Sequence, residues 1–193
     1  MIDDFHWKCF LFLEKELVDM QYFIEFHEKN KKTFSMQLRS IILQTCSEIE
    51  KMFKLICGYN LADDKNIADY TAFFEENHKE FCEIQIYSNT YLEKICPWES
   101  WYKALEKFQY PPKFWQAYND LKHKGKFEQA TLDNAILSLA GLYALQLAWI
   151  KKEFGRFPIS SFESPKLFAY KGTQVTLLSC GHPYLNVPGF SNS

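Results

Sequence analysis

A chain of 193 residues and 22.9 kDa, with 47% hydrophobic and 24% charged side chains, is long enough to bury about two-thirds of its unfolded surface as one globular domain, which excludes disorder and collagen-like repeats. A formal charge of -2 and a pI near 6.2 exclude bulk wrapping of nucleic acid, which requires a strongly basic face. Aromatic residues make up 18% of the chain against only 7 Gly and 7 Pro, a composition that favours long helices over a many-stranded sandwich.

Asp3 or Asp4 caps a first helix expected to run to about Glu28, with Phe10, Leu13, Leu17, Met20 and Ile24 on one stripe and Glu14, Lys15, Asp19 and Glu25 off it. Ser35 stands at the N-cap of a second helix. There Leu38, Ile41, Ile42, Cys46, Ile49, Met52, Phe53 and Ile56 recur at three-and-four spacing as far as Gly58, a C′ residue. A third, shorter helix starts after Asn66 with Ala68, Tyr70, Phe73 and Phe74 and frays at the polar run 75–80. Residues 82–86 alternate like a strand, and Ser88-Asn89 turns the chain into a second strand from Tyr91 to Ile95. Pro97 to Trp101 opens another short helix, ended by Pro111-Pro112, which in turn starts a helix from Lys113 to about Lys124 closed by Gly125. Thr131 caps a helix to about Phe154 that is apolar nearly all round and so belongs at the centre of a bundle. After Gly155, residues 166–170 and 174–178 read as a hairpin, followed by an arm with two prolines.

Charge is segregated: residues 62–83 carry -5 and residues 113–126 carry +3 before His123 is counted. Met1-Ile2-Asp3-Asp4 is acidic where a secretory signal is basic, and the longest apolar tract, Ala135 to Ile150, is shorter than the roughly 20 residues a bilayer needs. Cys46 and Cys57 fall on one expected helix about 16 Å apart, beyond disulfide reach of each other. Reduced thiols, a cytoplasmic location and no membrane partner are the expectation. Cys180-Gly181-His182 lacks a second ligand pair at zinc spacing, so neither a metal nor a cofactor is expected.

Chemistry concentrates on the helix after Pro112. Trp115, Asn119 and His123 are four residues apart and share a face. A neutral imidazole near its reference pKa of about 6.5 takes a proton from a ribose 2′-hydroxyl, and a carboxamide orients it. Lys122, Lys124 and Lys126 would hold the neighbouring phosphates, while Trp98, Trp101, Trp115 or Tyr118 would stack or contact a base. The same residues also serve as core aromatics and a solvated lysine face, and a tryptophan-lined pocket for a small ligand is a third use.

Tyr118-Asn119-Asp120-Leu121-Lys122-His123, ahead of the apolar helix from Leu132 to Ile150, resembles the YNxxKH segment and following helix of HEPN-superfamily proteins of bacterial abortive-infection and toxin type. Thr33-Phe34-Ser35, then Cys46-Ser47-Glu48-Ile49-Glu50 and Lys54, resemble the second helix of HEPN-like proteins, so the similarity of pattern spans residues 5–154. It implies a mainly α fold, a four-to-five-helix up-and-down bundle over residues 1–155; the residue pattern adds a small β-hairpin insert and a C-terminal hairpin and arm over 156–193 packed on the bundle. It also implies a homodimer, and in active members a metal-independent endoribonuclease with an Arg-x4-6-His motif near the dimer interface. This sequence departs from that motif. Its arginines are Arg39 and Arg156 alone, neither of them four to six residues before a histidine, and Tyr118 stands five residues before His123. A phenol cannot supply the fixed cationic fork of a guanidinium, so catalysis is lost or Lys122 or Lys124 substitutes as a point charge.

Two expectations follow. The first is a domain of phage-defence or toxin–antitoxin type that binds RNA or a cognate antitoxin or defence protein, with weak ribonuclease activity from His123 and Asn119. The second is a catalytically inactive dimerisation or protein-interaction module with no RNA role.

Overall fold

A computed structural model of the chain describes residues 5–77, 81–82, 84–89, 91, 93–101, 111–154 and 163–170, with backbone alone at 75–77 and 152–154. Helix α1 spans Phe5–Asp19 and buries Trp7, Phe10, Leu13 and Leu17. It ends about two turns before the expected Glu28, in a 3-10 turn over Met20–Tyr22. The physical reason is Phe26, which a continued helix would carry to the side opposite Leu13 and Leu17; breaking the helix brings Phe26 into the core. Glu14, expected off the apolar stripe, is also buried. The expected cap at Asp3 or Asp4 lies outside the described residues.

Helix α2 spans Met36–Cys57 as the spacing predicts. The Ser35 hydroxyl accepts the backbone N–H of Leu38 at 3.2 Å, and Gly58 closes the helix at φ 74°, a left-handed backbone that glycine adopts without strain. Helix α3 spans Ile67–Asn77, and Asn66 Oδ1 accepts the N–H of Ala68 at 2.9 Å at its start.

The expected hairpin is present, but its first strand starts four residues later than expected and takes in Ser88, and its second starts two residues later. Strand β1, Ile86–Ser88, pairs antiparallel with β2, Glu93–Ile95, in the register Ile86 to Ile95. Residues 99–101 begin the expected short helix, and the rest of it lies outside the described residues.

Helix α4 spans Lys113–His123 and helix α5 spans Leu132–Phe154. Thr131 Oγ1 accepts the N–H of Asn134 at 3.2 Å and so opens α5 as the sequence predicts. Strand β3, Phe168–Tyr170, pairs antiparallel with β1 to complete a sheet in the order β2-β1-β3. Residues 174–178, expected as the partner of this strand, lie outside the described residues, as do the arm and Cys180-Gly181-His182.

The architecture is a mainly helical bundle with a small three-stranded antiparallel sheet. The starts of α2 and α5 are tied by the N–H of Ser35 on the carbonyl of Ala130 and that of Leu132 on the carbonyl of Thr33. The two long helices therefore set out side by side. Helix α1 runs against α2, its first turn at Glu48 and its last at Gln37.

The abundance of aromatics is explained by the core. Around the Phe53 ring lie Tyr70 at 5.0 Å, Phe74 at 5.3 Å, Trp98 at 5.4 Å, Trp101 at 5.5 Å and Trp115 at 6.1 Å between centroids. The indole N–H groups are satisfied internally, Trp98 on the carbonyl of Gly141 at 3.0 Å and Trp101 on Thr71 Oγ1 at 2.9 Å. Helix α4 lies across α2 and α5 on this core, which fixes the orientation of the candidate site.

Candidate functional site

Pro112 precedes α4 with φ -51° and ψ 149°, and having no N–H it leaves one fewer unpaired donor at the helix start. Phe114, Trp115, Ala117, Tyr118 and Leu121 form the buried side, Asn119 and Asp120 are half-buried, and Lys122, His123, Lys124 and Lys126 are exposed.

This burial corrects two expectations. Trp115 and Tyr118 were expected at an RNA surface, but Trp115 packs against Phe53 and Tyr118, and both rings are covered. A base needs an open aromatic face to stack on, and neither ring has one. Trp98 and Trp101 are also buried, so neither offers an open face to a base.

The lysines are paired rather than poised. The Tyr118 hydroxyl donates to Glu50 Oε2 at 3.2 Å and accepts from Lys122 Nζ at 2.9 Å, while Lys122 lies 3.8 Å from the same Glu50 carboxylate. Burial pushes the Tyr118 phenol to resist ionisation, and the Glu50 charge adds to that. Asp120 accepts from Lys124 at 2.8 Å and from Lys126 at 3.0 Å, and these two bonds hold its carboxyl below the usual range. Three ammonium groups therefore share two carboxylates, and the net positive charge left at the site is about one unit. Among the described residues no hydrogen bond joins Asn119 to His123, so the orienting contact expected between them is not formed.

Sequence reasoning missed Glu50 because it sits 68 residues from Tyr118, on another helix. It also missed a polar cluster on the other side of α2. His6 Nδ1 donates to Glu48 Oε1, Lys51 Nζ donates to Glu48 Oε2 at 3.2 Å, and the His6 ring lies 5.4 Å from that of Trp149. Burial alone would raise the Glu48 carboxyl, but the bonds from His6 and Lys51 outweigh it and leave the group below its ordinary value. The available signal was phase: Glu48 stands seven residues after Ile41 and four before Met52, at the edge of the apolar stripe of α2.

A half-open hollow of about 230 Å³ lies between the Lys31 loop, β2 and the first turns of α5, lined by Lys31, Tyr91, Glu93, Asp133 and Ile136. Three of its charges are paired, Lys31 with Glu28 at 2.7 Å and Glu93 at 3.3 Å, and Asp133 with Lys113 at 2.9 Å, while Lys94 also lines it. Among the described residues no group of His, Cys, Asp and Glu side chains is arranged to hold a metal ion, and no helix is long and apolar enough to cross a membrane.

No family model matches the chain, and neither a curated protein nor a solved structure matches it.

Proposed function

We propose that the chain is a HEPN-like helical domain that works by binding a partner, without ribonuclease turnover. The observation that carries this reading is Tyr118. At the position where the superfamily's arginine would stand there is a buried phenol whose hydroxyl is shared between Glu50 and Lys122. Cleavage of RNA without a metal needs a fixed cation for the developing phosphorane charge and a positioned imidazole for the proton. Here the nearby ammonium groups are engaged by carboxylates, and His123 lacks an orienting hydrogen bond among the described residues. The partners that fit this reading are a cognate antitoxin or defence protein, or a second copy of the chain, in the cytoplasm.

A second reading keeps weak RNA binding and cleavage at Asn119 and His123. It is favoured by the position of these two side chains, one turn apart on a face that also carries Lys122, Lys124 and Lys126. One experiment separates the two: cleavage of single-stranded RNA in EDTA by the wild type and by His123→Ala, with melting temperatures compared. Equal background rates are expected. Cleavage by the wild type that disappears in an equally stable His123→Ala protein overturns the partner-binding reading in favour of the second.

A further inference from the structure

We propose that the half-open hollow between the Lys31 loop, β2 and the first turns of α5 binds a small zwitterion, a free α-amino acid with an apolar side chain. The proposal goes beyond partner binding and does not depend on it.

The hollow holds about 230 Å³. That is more than the about 150 Å³ of an apolar cavity that takes benzene, and less than the about 300 Å³ at which drug-sized sites begin. A molecule of the size of leucine or phenylalanine therefore fits it, and a nucleotide does not. Its apolar wall is formed by Ile95, Ile136 and Leu137, the first two of them buried. An aliphatic or aromatic side chain laid on that wall is removed from water.

The charges select the head group. Lys31, Lys94, Glu93 and Asp133 line the hollow, and Glu28 and Lys113 border it as ion-pair partners. Three ammonium groups thus balance three carboxylates, and a ligand of no net charge disturbs that balance least. Bonding capacity of both signs is nevertheless left over. Lys31 takes Glu93 Oε1 and Lys113 takes Asp133 Oδ2, so Glu93 Oε2 and Asp133 Oδ1 have no hydrogen-bond partner among the described residues. Lys94 forms no ion pair among the described residues. It leaves the edge strand β2 from the face opposite to Glu93, and so borders the mouth of the hollow rather than its floor. Tyr91, on the wall, has its hydroxyl buried without a hydrogen-bond partner among the described residues, and burial pushes that phenol up to about 12, so it stays a donor. A buried hydroxyl left without a bond costs free energy, which a ligand oxygen recovers.

An α-amino acid matches this set. Its carboxylate meets Lys94 at the mouth, with the Tyr91 hydroxyl as a neutral donor, its ammonium group meets the free oxygens of Glu93 and Asp133, and its side chain lies on the apolar wall. A plain carboxylic acid would set a negative charge against those two oxygens, and a plain amine would set a further cation beside Lys31 and Lys94. For so small a ligand in a half-open site, the Kd is on the order of 0.1–1 mM.

Titration of the full chain with L-valine, L-leucine and L-phenylalanine, followed by amide chemical shifts, tests this. At least one of the three is expected to give saturable shifts centred on residues 93–96 and 133–137. Glycine, and the N-acetyl and amide forms of the amino acid that binds best, lack the side chain, the ammonium group and the carboxylate in turn, and each should bind at least about tenfold more weakly. The two blocked forms also stand for the ends of a peptide, so they separate a free amino acid from a chain terminus. Lys94→Met and Tyr91→Phe should each raise Kd by about threefold to tenfold without lowering the melting temperature, because neither group has a hydrogen-bond partner to lose among the described residues. No saturable shifts from any of the three amino acids at about 10 mM, a blocked form that binds as well as the free one, or binding indifferent to Lys94→Met overturns the proposal.

Discussion

The hydroxyl of Tyr118 lies between a carboxylate and an ammonium group, and that contact explains why a lysine-rich helix end presents so little free charge. The spacing of Trp115, Asn119 and His123 was legible because it lies within one helix. Glu50, the anionic partner of Lys122, was not, because it comes from α2, whereas Asp120 stands four residues before Lys124 at ordinary helix spacing. A second carboxylate, Glu48, is held ionised in a nearly dry position by His6 and Lys51. Its folded pKa is lowered from 4.5, so its contribution to stability is present above that value and is lost as pH falls through the folded pKa. Removing the imidazole in His6→Leu leaves burial as the dominant influence and turns the dependence round, so that this group gains stability as pH falls. At pH 7 the substitution should cost about 1–3 kcal/mol for a charge left buried with one partner. Urea midpoints of both proteins between about pH 5.5 and 3.5 should converge as the pH drops. A constant gap between them would show that Glu48 is not the group responsible.

Helix α2 could be read from its sequence to the residue because each signal is local: the Ser35 cap, the apolar period and Gly58. The end of α1 could not, since it depends on where Phe26 finds room among residues from other helices. Strand β3 illustrates the same limit more strongly. Its partner β1 lies about eighty residues earlier, and no local pattern announces a pairing over that distance. Helix α5 carries a glycine in its interior, at a cost of about 1 kcal/mol relative to alanine in helix propensity. The reason is space. A Cβ on Gly141 would stand 2.8 Å from Phe114 Cζ and 3.4 Å from Trp98 Cζ2. The Phe114 ring is buried edge-on to Trp98, with centroids 5.2 Å apart, and has nowhere to retreat. Gly141→Ala should therefore destabilise by about 1–2 kcal/mol, the overpacking strain exceeding the gain in propensity. Chemical denaturation measures this, and a more stable variant would mean that α4 yields to the added methyl group.

Across the whole molecule, the last described segment is fastened to the first helix by a carboxylate and an indole. Glu14 accepts the backbone N–H groups of Lys166 at 2.9 Å and Leu167 at 2.8 Å, and Trp7 Nε1 donates to the carbonyl of Glu163 at 3.1 Å. The same segment buries Leu167 and Phe168, with the Phe168 ring stacked 6.1 Å from that of Tyr143, and supplies β3 to the sheet. Glu14 thus couples α1, the sheet and α5. Burial raises its carboxyl above 4.5 despite the backbone N–H bonds that pull it down. A raised folded pKa means that the fold prefers the neutral acid, so this group adds stability as pH falls from the raised value toward 4.5, the opposite sign to Glu48. Glu14→Ala removes the acceptor for one buried and one part-buried N–H group and should cost about 1–3 kcal/mol. Its effect should be local: amide exchange at Phe168, Ala169 and Tyr170 accelerates well before that of the α2 core. Glu14→Gln keeps one acceptor and has no titration, so the stability of the wild type relative to this variant should rise as pH is lowered from 7 toward 4.5. If exchange at β3 and in α2 accelerated together, the segment would be part of the global unfolding unit, and Glu14 would be holding the whole bundle rather than its edge.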